Sequence, residues 1–183
     1  MPWYKGNLHC HSCRSDGKAT PEHVAKFYKF IGHDFLGLSD HNQYTPLEDW
    51  AAPAGILGVP CCEYTSSKYC HVVAVGVKEE VRPGGQKGYN PDKLSPQEIL
   101  QEGVDKTLKA GGVPVICHPG WHWAFGYDVV SKLKKCRHFE ICNASPDCNS
   151  FPIPGYQPLE DMWDRLLSTG HLPEPGSGPC PGT

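Results

Sequence analysis

Short apolar segments alternate with amphipathic segments along most of this chain, and that alternation restricts the fold more than any other feature. Six apolar segments predict strands, at 4–11, 35–39, 56–62, 71–77, 113–117 and 139–143. The segment 71–77 is the clearest, because it is rich in β-branched residues. A strand–helix–strand order predicts an α/β protein with right-handed crossovers and a parallel sheet.

The intervening segments carry helix signals. Thr20 before Pro21 is a typical helix start, and Gly32 ends that helix. Ser95 to Glu98 form a capping box that opens a helix to about residue 110. A weaker helix is predicted at about 127–135. Two helices are predicted to bury one face each: Val24, Phe27, Tyr28 and Ile31 in the first, and Leu159, Met162, Trp163, Leu166 and Leu167 in the last.

Size and charge exclude some functions. The 183 residues suffice for one domain, and a net charge of -3 gives no electrostatic case for nucleic acid or membranes. We find no apolar run of about 20 residues and no secretory signal, so we expect a cytoplasmic protein. Several of the 10 cysteines lie in apolar runs, which favours small buried side chains over a disulfide scaffold.

Polar residues that can bind metals follow the predicted strands. Ligands of α/β folds gather at the carboxyl ends of strands. His9, His11, Asp40, His41, Glu63 and His118 lie at or near such ends, whereas His71 begins a strand and Asp16 lies in a turn. His9 and His11 are expected on one side of a strand, where two imidazoles can bind one ion.

Each of these residues also has an ordinary structural explanation. A lone His-x-His pair is more often incidental, and an Asp before Gly, such as Asp16, is common in turns. Asp40 could cap a helix, orient an imidazole or bind an ion itself. Their joint placement at strand ends favours a metal site, and the ligand types suit Zn²⁺, Mn²⁺ or iron.

Three ordered motifs resemble the PHP (polymerase and histidinol phosphatase) superfamily, nearest to its stand-alone phosphoesterases: residues 6–11, 15–17 and 28–42. The resemblance covers about residues 3–170. It implies a distorted (β/α)7 barrel with two or three divalent ions. It also implies three ligand sets: His9, His11 and Glu63 for the first ion, Glu63, His71 and His118 for the second, and Asp16 and His41 for a third.

The same resemblance implies hydrolysis of a phosphoester by a metal-activated water, in a small phosphorylated molecule or a nucleotide. We expect Glu63, His118 and Asp40 to be the catalytic residues. No membrane partner is expected, a nucleic-acid substrate is disfavoured by the lack of an aromatic–basic patch, and the oligomeric state stays open.

One departure from the family is the absence of an Asp-x-His motif after His118. Residues 171–183 are rich in Pro and Gly, so we expect a metallohydrolase domain at 1–170, a disordered tail and an incomplete barrel. The alternative is a non-catalytic remnant that binds one metal through Glu63, His71 and His118. A third reading, a zinc or redox motif at Cys10 and Cys13, lacks a second pair of ligands.

Overall fold

The computed structural model describes residues 2–151, 154 and 158–170, and their strands form one six-stranded sheet. The spatial order of the strands follows the chain. The strands are β1 (Gly6–Asn7), β2 (Phe35–Leu38), β3 (Leu57–Thr65), β4 (His71–Val75), β5 (Val113–Ile116) and β6 (His138–Phe139).

The expectation of a wholly parallel sheet is wrong at β4. Strands β1, β2 and β3 are parallel, and β6 is parallel to β5, but β4 runs antiparallel to both β3 and β5. Only residues 66–70 join β3 to β4, too few for the crossover that a parallel pair requires. The first residue of β4, His71, therefore pairs with the last residue of β3, Thr65.

Five α-helices accompany the sheet: α1 (Pro21–Phe30), α2 (Ala51–Ala54), α3 (Pro96–Lys109), α4 (Tyr127–Val130) and α5 (Leu159–Ser168). Both predicted helix starts are confirmed. The Thr20 hydroxyl accepts from the His23 backbone N–H, and Ser95 and Glu98 form the reciprocal capping box. Leu159, Met162 and Leu166 of α5 are buried as expected.

Several local expectations differ from the structure. Helix α4 ends at Val130 instead of about residue 135, because the chain turns there to bury Leu133 and then adopts a left-handed conformation at Lys135. Strand β1 comprises only two residues, so His9 and His11 lie beyond it. The apolar face of α1 is only partly buried: Phe27 is 59% exposed, because the helix packs through Ala25.

Two hydrophobic cores lie along the sheet. The smaller packs α1 and α2 around β2 and comprises Ala25, Leu36, Leu38, Trp50, Ala51 and Ile56. The larger contains eighteen buried residues from β3 to α5, among them Tyr64, Leu100 and Leu166. Gly103 lets α3 approach the sheet closely, since a Cβ there would lie 2.8 Å from the Tyr64 ring. Strand β3 therefore separates the two cores.

The predictions of a tail and of no membrane span were compared with the described residues. The predicted tail, 171–183, lies outside the described residues, so the domain boundary at residue 170 stays a prediction. Within the described part of the chain, every helix is too short or too polar to cross a bilayer.

Candidate metal centre

Glu63 is the centre of a cluster of five imidazoles. It lies on β3, fully buried, because its strand has neighbours on both sides. Its Oε1 lies 3.5 Å from His9 Nε2, 3.0 Å from His71 Nδ1 and 3.5 Å from His118 Nε2. Its Oε2 lies 3.4 Å from His11 Nε2 and 2.7 Å from His41 Nδ1. The structure thus brings together the four histidines at predicted strand ends and His71, which was predicted to begin a strand.

The strand directions explain how residues so distant in sequence meet. His9, His11 and His41 follow the parallel strands β1 and β2, and His118 follows β5. His71 begins its strand, but β4 is antiparallel, so its start lies at the edge where β3 ends. His41 forms an isolated parallel bridge with Glu63, which fixes the register between these two residues.

Asp40 fixes a loop. It is buried, and its carboxylate accepts hydrogen bonds from the Ser12 backbone N–H at 2.7 Å, the Ser12 hydroxyl at 2.8 Å and the Ser15 hydroxyl at 2.9 Å. These bonds hold the segment that follows His11. The structure therefore supports the expectation that Asp40 positions other groups, and its place among the catalytic residues stays a prediction.

Asp16 lies at the exposed rim of the cluster. Its Oδ1 is 3.7 Å from His11 Nδ1, and its Oδ2 is 3.4 Å from His41 Nε2. The loop reaches this position because Gly17 packs directly on the backbone of His11, where a Cβ would lie 2.5 Å from the carbonyl oxygen. The sequence Ser15-Asp16-Gly17 is thus a turn that also carries a carboxylate to two imidazoles.

Glu140 is a site residue that the sequence analysis missed. Its Oε1 lies 2.5 Å from His9 Nδ1, and its Oε2 accepts from the backbone N–H of His118 at 2.9 Å. A carboxylate on Nδ1 directs the Nε2 of His9 toward Glu63, the usual arrangement around metal-binding histidines. Glu140 directly follows β6, but the sequence predicted a strand at 139–143 that contains this residue, so the strand-end rule did not select it.

Three groups of side chains lie close enough to share an ion, since the possible ligand atoms within each group are all within 4.8 Å of one another. They are His9, Glu63, Cys117 and His118; His11, Asp16 and His41; and His41, Glu63 and His71. The resemblance instead groups His9 with His11, and His71 with His118. The seven predicted metal ligands therefore lie together, but the structure groups them differently and adds Cys117.

Charge is concentrated at this centre. Burial alone would raise the pKa of Glu63, but the surrounding histidines outweigh it and hold the pKa well below its usual range. Burial would lower the pKa of His9, yet hydrogen bonds to Glu140 and Glu63 raise it to about 10. Burial lowers the pKa of His11 and of His71. Without an ion, the carboxylate is thus charged and His9 is protonated.

The chemistry of these donors fits divalent ions. Imidazole nitrogens and carboxylate oxygens are ligands that Zn²⁺, Mn²⁺ and Fe²⁺ accept. Among the described residues, His118 Nδ1 is buried and has no hydrogen-bond partner. Glu63 Oε2 is likewise buried and, although near His41, accepts no hydrogen bond of suitable geometry. Buried polar atoms without partners are costly, and an ion within the cluster would offset that cost.

A cavity of about 330 Å³ opens onto the cluster. Its lining comprises His9, His11, Asp16, His41, His118, Trp121, Asn143, Ser145, Asp147 and Cys148. The Trp121 ring packs edge-on against His71 and His118, while His122 stacks on Tyr69 beside it, outside this lining. A larger cleft of about 570 Å³ along α3 contains none of the five clustered histidines, so chemistry rather than size identifies the site.

The cysteine at position 13 does not join a metal site. Among the described residues, Cys13 belongs to none of the three ligand groups, and the Cys10 thiol faces the Gly37 carbonyl. Nine cysteines are described as free thiols, and five of them are buried. The structure therefore gives no support to a motif built from Cys10 and Cys13.

Known proteins resemble this chain in part of the sequence and in fold. No protein-family model matches the chain. The DNA polymerase/3'-5' exonuclease PolX of Bacillus subtilis (strain 168) is 23% identical over 63% of this chain, which spans 23% of the polymerase. The chain thus covers about a quarter of that curated relative.

Solved structures share the fold. An amidohydrolase from Chromobacterium violaceum, solved with bound sulfate and no metal, aligns with a TM-score of 0.57 and 19% identity over 89% of this chain and 82% of its own. A candidate metal-dependent phosphoesterase from Bifidobacterium adolescentis aligns with a TM-score of 0.56 and 13% identity over 92% and 84%.

A two-domain protein from Bacteroides vulgatus that contains a predicted PHP-like metal-dependent phosphoesterase covers 92% of this chain and 42% of its own, at 19% identity and a TM-score of 0.49. At such identities the likeness concerns the fold. The predicted fold class is confirmed as a mixed α/β fold by the six-stranded sheet of the described residues, with which two of these structures align at TM-scores of 0.57 and 0.56.

Proposed function

We propose, from the PHP-type fold of this chain, that it is a metal-dependent hydrolase of phosphoesters acting on a small phosphorylated molecule or a nucleotide. One observation carries the proposal: five imidazoles surround a single buried carboxylate at the mouth of a cavity. Divalent ions would supply a Lewis acid that lowers the pKa of water and neutralises charge on phosphoryl oxygens.

The cavity itself supports a role for metals in binding an anion. Its lining includes four histidines and two aspartates but neither lysine nor arginine. A phosphoester brought to Asp16 and Asp147 would meet negative charge unless cations lie between them. Ions held by the cluster would reverse the sign of the local field and make the cavity suitable for a phosphate group.

The residues of the chain would hold and orient these ions. Glu63 presents one oxygen to His9, His71 and His118 and the other to His11 and His41, so both oxygens would be available to hold divalent ions. Glu140 holds His9 through Nδ1, and Asp40 holds the loop after His11. Trp121 forms a wall against His71 and His118 and limits the access of bulk water to them.

The proposal is tested with the full chain loaded separately with Mn²⁺, Zn²⁺ or Fe²⁺, using p-nitrophenyl phosphate as the probe. We expect hydrolysis that a chelator abolishes and that Glu63→Gln eliminates, because the amide cannot replace a bridging carboxylate. Glu79→Gln, an exposed change away from the site, is the matched control and retains activity. Hydrolysis that survives Glu63→Gln or the chelator would refute the proposal.

A second candidate is a metal-binding protein without turnover. It is favoured by Glu63 Oε1, which lies 3.0 Å from His71 Nδ1 and 3.5 Å from His118 Nε2, so that these three residues need no ligand from β1 or β2. Metal analysis would then find one tightly bound ion, and no phosphoester would be hydrolysed under any metal condition.

A further inference from the structure

The thiol of Cys117 lies inside the predicted metal centre, although nothing in the sequence motifs marks it. Cys117 follows β5 and is fully buried, and its backbone N–H donates to the His71 carbonyl at 3.2 Å. Its sulfur lies within 4.8 Å of ligand atoms of His9, Glu63 and His118, and those three are also within that distance of one another. The thiol lies 3.6 Å from the Val115 carbonyl, a long distance for a donor, and it is also within hydrogen-bonding reach of Glu63.

The backbone explains why two consecutive residues face the same centre. Successive side chains of a regular strand point to opposite sides, so Cys117 and His118 would normally diverge. His118 adopts a φ of 25°, outside the range that L-residues prefer. Such strain persists only where the surroundings enforce it, and it is frequent at functional sites. Here it accompanies a thiol and an imidazole that both approach Glu63.

The distances suit a single shared ion. His9 Nε2 and His118 Nε2 each lie 3.5 Å from Glu63 Oε1. In a tetrahedral site with ligands at about 2.0–2.3 Å from Zn²⁺, neighbouring donor atoms lie roughly 3.3–3.7 Å apart. Two nitrogens, one oxygen and one sulfur complete four ligands. Glu140 also contacts both histidines: one oxygen faces the His9 Nδ1, and the other accepts from the backbone N–H of His118.

We propose that the thiolate of Cys117 is the fourth ligand of an ion held by His9, Glu63 and His118, and that this position takes Zn²⁺ in preference to Mn²⁺. The inference rests on the metal centre of the proposed function. As the metal–sulfur bond forms, the thiol S–H bond breaks and its proton passes to solvent, so no oxidant or reductant is needed. A thiolate favours Zn²⁺ over Mn²⁺, which prefers oxygen ligands.

The ordinary alternative is that Cys117 is only a small buried side chain. Cobalt substitution separates the two. With Co²⁺ bound to the full chain, a thiolate ligand gives an intense sulfur-to-metal charge-transfer band in the near ultraviolet, in addition to the visible bands of the ion. We expect that band in the unmodified protein and its loss in Cys117→Ser, while Cys148→Ser, which removes a buried thiol that lines the cavity, retains it.

The outcomes are distinct. Visible cobalt bands without the charge-transfer band would overturn the role of Cys117 and leave the metal centre intact. Failure to bind Co²⁺ at all would refute the metal centre and, with it, both proposals. If Cys117→Ser does not fold, X-ray absorption of the Zn²⁺-loaded unmodified protein decides the question. A sulfur at about 2.3 Å supports the proposal, and a shell of nitrogen and oxygen alone overturns it.

Discussion

The two halves of the sheet differ in core and in the ligands that they carry. The half from β1 to β2 rests on six buried residues, whereas the half from β4 to β6 rests on eighteen, counting those of β3. The first half supplies His9, His11, Asp16 and His41, and the second supplies His71, Cys117, His118 and Glu140. Glu63 lies on the strand between them.

The ligand cluster therefore lies at the boundary between two halves of the sheet that each pack on their own hydrophobic core. His9 belongs to the smaller half, but its ring is held by Glu140 of the larger half and shares a ligand group with His118. An ion bound there would cross-link the halves. In the non-catalytic alternative, Glu63, His71 and His118 bind the ion alone, and the ion would not stabilise the smaller half.

The largest expected effect is a loss of unfolding free energy when a buried leucine is shortened in either core. Leu100→Ala, in the larger core, should lower the free energy of unfolding by about 3–5 kcal/mol, and Leu36→Ala, in the smaller core, by about 2–3 kcal/mol, because a cavity surrounded by more packed side chains collapses less. Urea unfolding followed by circular dichroism measures both. Equal losses would mean that the cores are equally packed.

The next effect concerns the contact between the halves. Glu140→Gln removes the charge that holds His9 and should weaken metal binding by about 10–100-fold, the usual effect of losing such a partner. Calorimetric titration with Zn²⁺ measures the affinity, with Glu160→Gln on the exposed face of α5 as the control. An unchanged affinity would indicate that His9 is not a ligand and that the larger half binds the ion alone.

The pH dependence of metal affinity also tests whether His9 is a ligand. The pKa of His9 is raised to about 10, so at neutral pH an ion must displace its proton. We expect affinity to fall by about tenfold per pH unit for each displaced proton as the pH is lowered. In the metal-free protein, lowering the pH has the opposite effect on the free energy of unfolding. The stabilisation by His9 is full below about pH 6.5 and is lost as the pH rises through about 10.

Calorimetry in buffers of different ionisation enthalpy counts the protons released when Zn²⁺ binds. Binding without proton release at neutral pH would contradict the assignment of His9 as a ligand.

The smallest expected effect comes from removing a helix N-cap in either half. Thr20→Ala at α1 and Ser95→Ala at α3 should each cost about 1 kcal/mol, because each removes a side-chain acceptor of a helix N–H. In the metal-free protein, we expect hydrogen exchange to accelerate mainly in the half that carries the change. With metal bound, both halves should respond to either change. Uniform responses in the metal-free protein would show that the halves already unfold together.

Local signals predicted four of the five described α-helices, all except α2, and most ligands. The caps at Thr20 and Ser95 depend on residues three apart, so the sequence contains them directly. The strand-end rule located Glu63, His41 and His118 because it needs only the place where an apolar run stops. The direction of β4 depends on the length of the connection before it, which the strand-and-helix pattern did not consider.

Two site residues depended on contacts that no local signal carries. Glu140 follows a strand of only two residues, whereas the apolar pattern predicted a longer strand at 139–143 that would contain it. Cys117 reads as part of an apolar run, and the unusual backbone at His118, which accompanies the approach of both side chains to Glu63, is not visible in the sequence. The grouping of ligands around each ion likewise depends on how three loops pack, so sequence order does not determine it.

The reversed direction of β4 has a consequence for how the centre assembles as the chain folds. Glu63 and His71 belong to one antiparallel pair joined by residues 66–70, and their side chains lie 3.0 Å apart. Closing so short a loop costs little entropy, whereas bringing His9 to Glu140 closes a separation of 131 residues. A nascent chain can therefore form this first carboxylate–imidazole pair early, and an ion captured there would nucleate the later docking of the distant strands.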